Sequence, residues 1–263
     1  MSTAFWSDLY RSFRLFQFAR WVIIMKALIV HAHSEADSFV TAMRDTVAVT
    51  LQRNGFDLIH SDLYAMQWNP TLSPDDFGAR KDAGHLTYAL EQRHNFATGS
   101  LAPDISAEIE KVVAADLVVF TFPLFWFNLP AIMKGWIDRV FVSGPFYGGK
   151  AIYERGGMRG KRATAAFSLG GREYMFGPEG IHGPLVDGFL RSFFQGTLGY
   201  VGFEVIAPFV AYHTPYLPLE ERRTCLENLA AYFDALDSQS LIAMPNLSAF
   251  GERFEPLNAI GGE

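Results

Sequence analysis

Cysteine is almost missing from this chain: Cys225 is the only one in 263 residues. An internal disulfide framework is therefore excluded, and a reducing, cytoplasmic setting is expected. No apolar stretch approaches the roughly 18 residues that a membrane span requires. Basic charge is in deficit, 22 Lys+Arg against 28 Asp+Glu for a formal net charge of -6. That balance argues against a nucleic-acid binder, which needs a concentrated basic face. Several catalytic signatures are absent as well. No G-x-G-x-x-G follows an expected strand, and no G-x-S-x-G elbow occurs. His31 and His33 stand without H-E-x-x-H or a Cys/His cluster, so no metal site is expected. The run Gly144 to Lys150 imitates a phosphate loop, but Ala151 stands where the Mg²⁺-binding hydroxyl belongs.

What is present is a 49% apolar composition, ample for a packed core. Residues 1–24 form a basic-aromatic extension, with Arg11, Arg14 and Arg20 among Phe5, Trp6, Phe13, Phe16 and Phe18. The arginines interrupt the apolar residues, so a secretory signal is not expected. The extension reads as peripheral (Met25 stands directly before the first strand), as a docked helix, or as a membrane-surface contact.

From Lys26 onward the chain alternates strands and helices. Lys26–His31 reads as a strand buried on both faces, followed by a helix capped by Ser38 and stopped at Asn54-Gly55. Phe56–His60 reads as the second strand. Residues 62–101 show little regular pattern, an excursion expected to cover a ligand or reach another subunit. A helix over 103–114, a strand over 116–122 and a helix over 130–141 come next. Strand 162–168, helix 184–198, strand 203–207 and helix 218–236 complete a doubly wound α/β domain over 25–237, with helices on both faces of a five-stranded parallel sheet. A mostly irregular tail occupies 238–263.

In open parallel sheets, ligands collect beyond the carboxyl ends of the strands. Three loops converge there. The first supplies His33, Ser34, Ser38 and a helix N-terminus suited to phosphate. The second supplies Pro123 to Phe127, and the third Gly170-Gly171 and, further on, His182. Aromatic walls, backbone donors and an imidazole suit a flat conjugated cofactor.

These loops carry a resemblance to a known family. His31-Ala-His-Ser-Glu-Ala-Asp-Ser-Phe39, Asp62-Leu-Tyr-Ala-Met66 with Asn69-Pro70, and Phe122-Pro-Leu-Phe-Trp-Phe127 occur in the family's order. So do Pro130-Ala-Ile-Met-Lys-Gly-Trp136 and Gly180-Ile-His-Gly183. From Met25 to about residue 250 the chain resembles the NAD(P)H:quinone oxidoreductases, flavodoxin-like enzymes that use FAD. The resemblance implies two-electron transfer from NAD(P)H through FAD to a quinone or other small aromatic acceptor, with ping-pong kinetics in a homodimer with shared sites. It further implies that His33, Ser38 and Phe39 border the FAD diphosphate. Pro123, Leu124, Phe125 and Trp126 would line the isoalloxazine, Gly170 and Gly171 its other edge, and Arg222 the adenosine part. Trp126, Phe127 and Tyr147 would wall the acceptor, and Thr87 would approach the partner's flavin.

The chain also departs from the family. His182 matches its histidine, but Phe176 occupies the position of its tyrosine, and a phenyl ring donates no hydrogen bond. Tyr174 stands two residues earlier as a replacement. Gly149 and Val40 replace a second tyrosine and an asparagine, which implies a roomier, less polar pocket. Two alternatives share the fold: an FMN or FAD azoreductase or general flavin reductase, and an ancillary subunit of a cation-efflux system.

Overall fold

A computed structural model describes residues 24–257, so the extension, apart from Ile24, lies outside the described residues. β1 (Lys26–His31), β3 (Leu117–Pro123) and β4 (Arg162–Ser168) are nearly continuous runs of buried side chains. That is the pattern of parallel strands covered on both faces. With β2 (Asp57–Asp62), β5 (Glu204–Val205) and β6 (Phe209–Ala211) they make one parallel sheet in the order β2-β1-β3-β4-β5, β6 also pairing with β4. Alternation along each strand sorts the core into two layers. Leu28, Val30, Val118, Phe120 and Phe122 pack with α3 (Pro103–Ala114) and α4 (Ala131–Val140). Ala27, Ile29, Leu117 and Val119 pack with α1 (Phe39–Arg53) and α6 (Leu219–Asp234). Among the described residues no helix is long and apolar enough to cross a membrane.

Three expectations need correction. The excursion over 62–101 is not patternless, because it contains α2 (Tyr88–Thr98). Its buried residues are Glu91, Gln92 and Asn95, so hydrophobic periodicity could not reveal it. These side chains instead satisfy loop backbone. Glu91 accepts from the N–H groups of Lys81 and Asp82 at 2.8 and 3.0 Å, and Asn95 accepts from Ala79 at 3.1 Å. The Asp82 and Lys81 N–H groups hold the Glu91 carboxyl below the usual carboxylate range.

The fifth strand, expected over 203–207, is split into β5 and β6. Pro208 has no N–H for the ladder, and Ala207 turns away to bond Ser240 and the Tyr232 hydroxyl. The helix expected over 184–198 is instead a pair of wide π-type turns, Leu185–Phe189 and Phe194–Gly199, around the short α5 (Arg191–Phe193). Buried Leu185 and Leu190 are five residues apart, a spacing that a wide turn places on one face and a 3.6-residue helix does not.

The excursion is fastened to α4 by a buried cation. Arg139 donates to Asp76 at 2.8 and 3.1 Å, to Asp104 at 2.7 Å and to the Asn69 carbonyl at 3.0 Å. Its guanidinium also lies 4.6 Å from the centre of the Trp68 ring. At Gly135 the same helix comes so close to Pro70 that an added Cβ would lie 2.1 Å from the Pro70 carbonyl oxygen. Arg139 and Asp76 are 4% and 2% exposed, so removing one leaves an uncompensated buried charge. Arg139→Met is expected to destabilise the fold by about 3–5 kcal/mol in urea unfolding, well beyond the ~1 kcal/mol or less of a surface pair.

Candidate active site

The carboxyl ends of β1, β3 and β4 deliver three loops to one edge of the sheet. His31 closes β1 and is buried. Its Nδ1 lies 2.8 Å from Thr121 Oγ1 on β3, and its Nε2 lies 3.4 Å from Thr41 Oγ1 on α1. Burial first, and the Arg44 guanidinium second, push its pKa down to about 4, so the ring is a neutral joint between two strands and a helix. The loop that follows is held by side chains: the Glu35 N–H donates to His33 Nδ1 at 3.0 Å, and Thr41 Oγ1 donates to the Glu35 carbonyl at 3.0 Å. Ser38 caps α1 by accepting from the Thr41 N–H at 3.1 Å. The N–H groups of Phe39 and Val40 keep no partner among the described residues, which leaves the helix N-terminus open to an anion.

Beyond β3, the Leu124 N–H donates to Ser168 and the chain reverses over Phe125–Asn128 through reciprocal backbone bonds of 3.0 and 2.9 Å. The two central residues are Trp126 and Phe127, with φ of 50° and 57°. This is the pattern of a type I′ turn, which normally takes Asn and Gly because a Cβ in the left-handed region costs about 1–2 kcal/mol. Trp126 is 95% exposed, so packing does not offset the strain. Both residues carry N–H groups without partners among the described residues.

Beyond β4, Gly170 and Gly171 have their carbonyls held by His213, and their N–H groups are likewise free. A Cβ on Gly170 would meet only the Tyr216 ring, at 3.7 Å, so the absent side chain keeps space clear.

A cleft of about 410 Å³ lies among these loops. It is lined by His33, Ser38, Phe39, Val40, Pro123, Leu124, Phe125, Gly170, Thr214, Pro215 and Arg222, among others. Arg222 is tied to the wall, donating from Nε to Leu217 at 3.0 Å and from Nη2 to Pro215 at 3.3 Å. Beside the cleft stands an aromatic group. Phe127 lies 5.2 Å from His182 and 6.3 Å from Phe176, while Phe176 lies 5.3 Å from His182 and 6.0 Å from Tyr212. The structure thus gathers Phe127, Phe176 and His182 as their loops suggest. Tyr174 is 76% exposed on its own short turn and makes no aromatic contact with that group. Tyr147 packs elsewhere, 5.6 Å from Tyr200, and burial raises its hydroxyl pKa. A second cleft of about 400 Å³ adjoins the amino ends of β4 and β5, between Tyr153, Phe203, Leu241 and Met244. It receives none of the three loops.

Sequence reasoning missed the His31 joint, Tyr212, Thr214 and Phe189. The first is an ordinary strand residue until Thr121 and Thr41 are placed around it. Tyr212 and Thr214 follow β6, which hydrophobic pattern did not separate from β5.

Comparison with known proteins identifies the architecture. A family model described as a flavodoxin-like fold matches residues 25–235. The chain is 36% identical over 233 residues to rat NAD(P)H dehydrogenase [quinone] 1, covering 88% of this chain and 85% of that one. It is 38% identical over 199 residues to human ribosyldihydronicotinamide dehydrogenase [quinone], covering 75% and 85%. A Klebsiella pneumoniae crystal structure assigned as a candidate quinone reductase superposes with a TM-score of 0.78 at 34% identity, over 90% of this chain and 93% of that one.

The strained turn yields a direct test. Trp126→Gly removes the left-handed Cβ at the modest entropic cost of a glycine, and is expected to raise Tm by about 2–4 °C. Trp126→Ala keeps the Cβ and should leave Tm where it is. Calorimetry on the two variants separates backbone strain from loss of the indole.

Proposed function

The chain belongs to the flavodoxin-like family of NAD(P)H:quinone oxidoreductases, and on that premise we propose that it reduces quinones by two electrons at the expense of NAD(P)H, using FAD. The observation that carries this reading is a set of backbone N–H groups without partners among the described residues: those of Phe39, Val40 and Gly170 line one cleft, and those of Trp126, Phe127 and Gly171 stand on the same loops. Val40 is buried and Phe39, Phe127 and Gly171 are half-buried, and such backbone donors are rarely left without partners, so their grouping fits a ligand rich in acceptors. A flavin with a diphosphate tail has that chemistry. The α1 N-terminus with Ser38, Phe39 and His33 would hold the diphosphate, and Arg222 the adenosine end. Pro123, Leu124, Phe125 and Trp126 would flank the flavin ring on one side, with Gly170 and Gly171 at its edge.

When bound, the flavin supplies the two-electron redox chemistry. The protein's own residues bind, orient and exclude water. Phe127, Phe176 and Trp126 offer flat apolar surface to an aromatic ring, with Tyr147 contributed at a subunit boundary. His182 would donate a hydrogen bond where negative charge gathers, first at the flavin and then at the acceptor oxygen, and Tyr174 would be a second donor only by turning in from its exposed position. Phe176 keeps the wall without a hydroxyl, which leaves His182 more of that task. Overall, a hydride from NAD(P)H and one proton convert the quinone to its hydroquinone. Donor and acceptor would use the same pocket in turn, the basis of ping-pong kinetics.

Denaturing the purified protein and chromatographing the supernatant should release FAD, and the holoprotein should oxidise NADH or NADPH with a simple quinone. His182→Gln should slow reduction of the bound flavin by about 10-fold or less, since backbone donors remain. FMN in place of FAD would support the flavin reductase alternative, and no quinone-dependent oxidation with NADH, NADPH or dihydronicotinamide riboside would overturn the reading.

The cleft's surroundings also favour a homodimer. Trp126, Ile181, Tyr174 and Phe125 leave large apolar side chains 95%, 82%, 76% and 52% exposed around it. A group of that kind marks a surface that a partner covers. Sedimentation at micromolar concentration should give about twice the chain mass of 29.4 kDa; a fully active monomer would contradict the shared site.

A further inference from the structure

Phe189 is placed by the first of the two wide turns. The Phe189 N–H donates to Pro184 at 3.3 Å and the Leu190 N–H to Leu185 at 2.9 Å, each bond spanning five residues instead of four. Such turns are rare and frequently occur at functional sites. Here the extra residue lets Leu190 enter the core while Phe189 emerges beside it, 41% exposed. Its ring stacks on Phe127, with centroids 4.5 Å apart and 23° between planes.

Among the described residues three aromatic side chains flank the Phe127 ring. His182 and Phe176 meet it at 58° and 64°, so neither shares its plane. Only Phe189 lies nearly parallel. The Phe127 backbone is already fixed in a left-handed turn, and its ring is oriented by the face stacked on it. We propose that Phe189 is a positioning residue that determines specificity in the acceptor pocket. By stacking on Phe127 it holds that wall in one plane and favours flat acceptors over bulky, branched ones. The assignment rests on the quinone reductase reading above.

The holoprotein provides the test, with Phe189→Ala, Phe189→Tyr and two acceptors, 1,4-naphthoquinone and a tert-butyl-substituted benzoquinone. Phe189→Ala is expected to raise KM for the flat acceptor by ~3–10-fold with kcat within about twofold, the scale of one aromatic pair. KM for the bulky acceptor should stay level or fall, and Phe189→Tyr should restore the wild-type preference. A readout independent of activity is fluorine NMR of 4-fluorophenylalanine installed at position 127. Phe189→Ala should move that resonance by removing the stacked ring's current, and Phe189→Tyr should leave it near its wild-type position. An unmoved resonance, or equal changes in KM for both acceptors, overturns the assignment while leaving the wild-type activity intact. A wild-type protein that reduces no quinone overturns the functional reading itself, and this assignment with it.

Discussion

A parallel sheet buried on both faces leaves chemistry only at its ends. Every strand must be returned to the same starting edge by a crossover on one face or the other. With the order β2-β1-β3-β4-β5, the crossovers change direction at β1 and β3. Loops on either side of that reversal separate and leave a crevice between them. His31 sits at this point, bridging to Thr121 on β3 and Thr41 on α1. A neutral imidazole suits the position: a charged ring there would be a buried ion beside the Arg44 field. The cleft is therefore a consequence of topology, and its lining is a matter of which side chains the loops carry.

Polar burial then extends this order beyond the sheet. The excursion after β2 has too few apolar residues to fold back by itself; Glu91 and Asn95 organise it from within, and Gln92 reaches out to the Asp138 carbonyl and the Ser143 N–H. The Asp76–Arg139 pair ties it to α4. That helix begins at Ala131, three residues after the turn's last residue, and Asn128 Oδ1 accepts from the Leu129 N–H at 2.8 Å between them. Such directional interactions fix geometry more surely than they add stability, since desolvating both charges consumes most of their attraction.

How much of this was legible in the sequence follows the same division. Elements that bury apolar side chains at a regular period were readable: α1 from Ser38 to Asn54, α3 from Pro103 and all of β4. The second strand was displaced by only a residue or two, expected over 56–60 and found at Asp57–Asp62. Elements defined by buried polar groups, as α2 is, or by a switch in hydrogen-bond span, as the turns around α5 are, carry no such period. The site divides likewise. His33, Ser38, Pro123 to Phe125 and Gly170 were placed by their position after strands, and they line one cleft. The stacking of Phe189 on Phe127 was not legible, because it depends on a wide turn that no residue announces.

Each local irregularity at this edge would count against a fold judged on stability alone. Two aromatic residues occupy a left-handed turn, backbone donors stand without acceptors, large apolar rings face solvent, and a helix is widened by a residue. Separately, each has a structural explanation, and any protein tolerates one or two. Those gathered at this edge share a further property. Left-handed residues and exposed rings occur elsewhere too, as at Tyr153 and Phe96, but these supply complementary properties to one region: donors, flat apolar walls, an imidazole and space. A bound aromatic ligand with acceptor atoms on its rim would satisfy the donors and cover the rings together. The features that weaken the free protein where β1, β3 and β4 end are thus the ones that such a ligand would relieve.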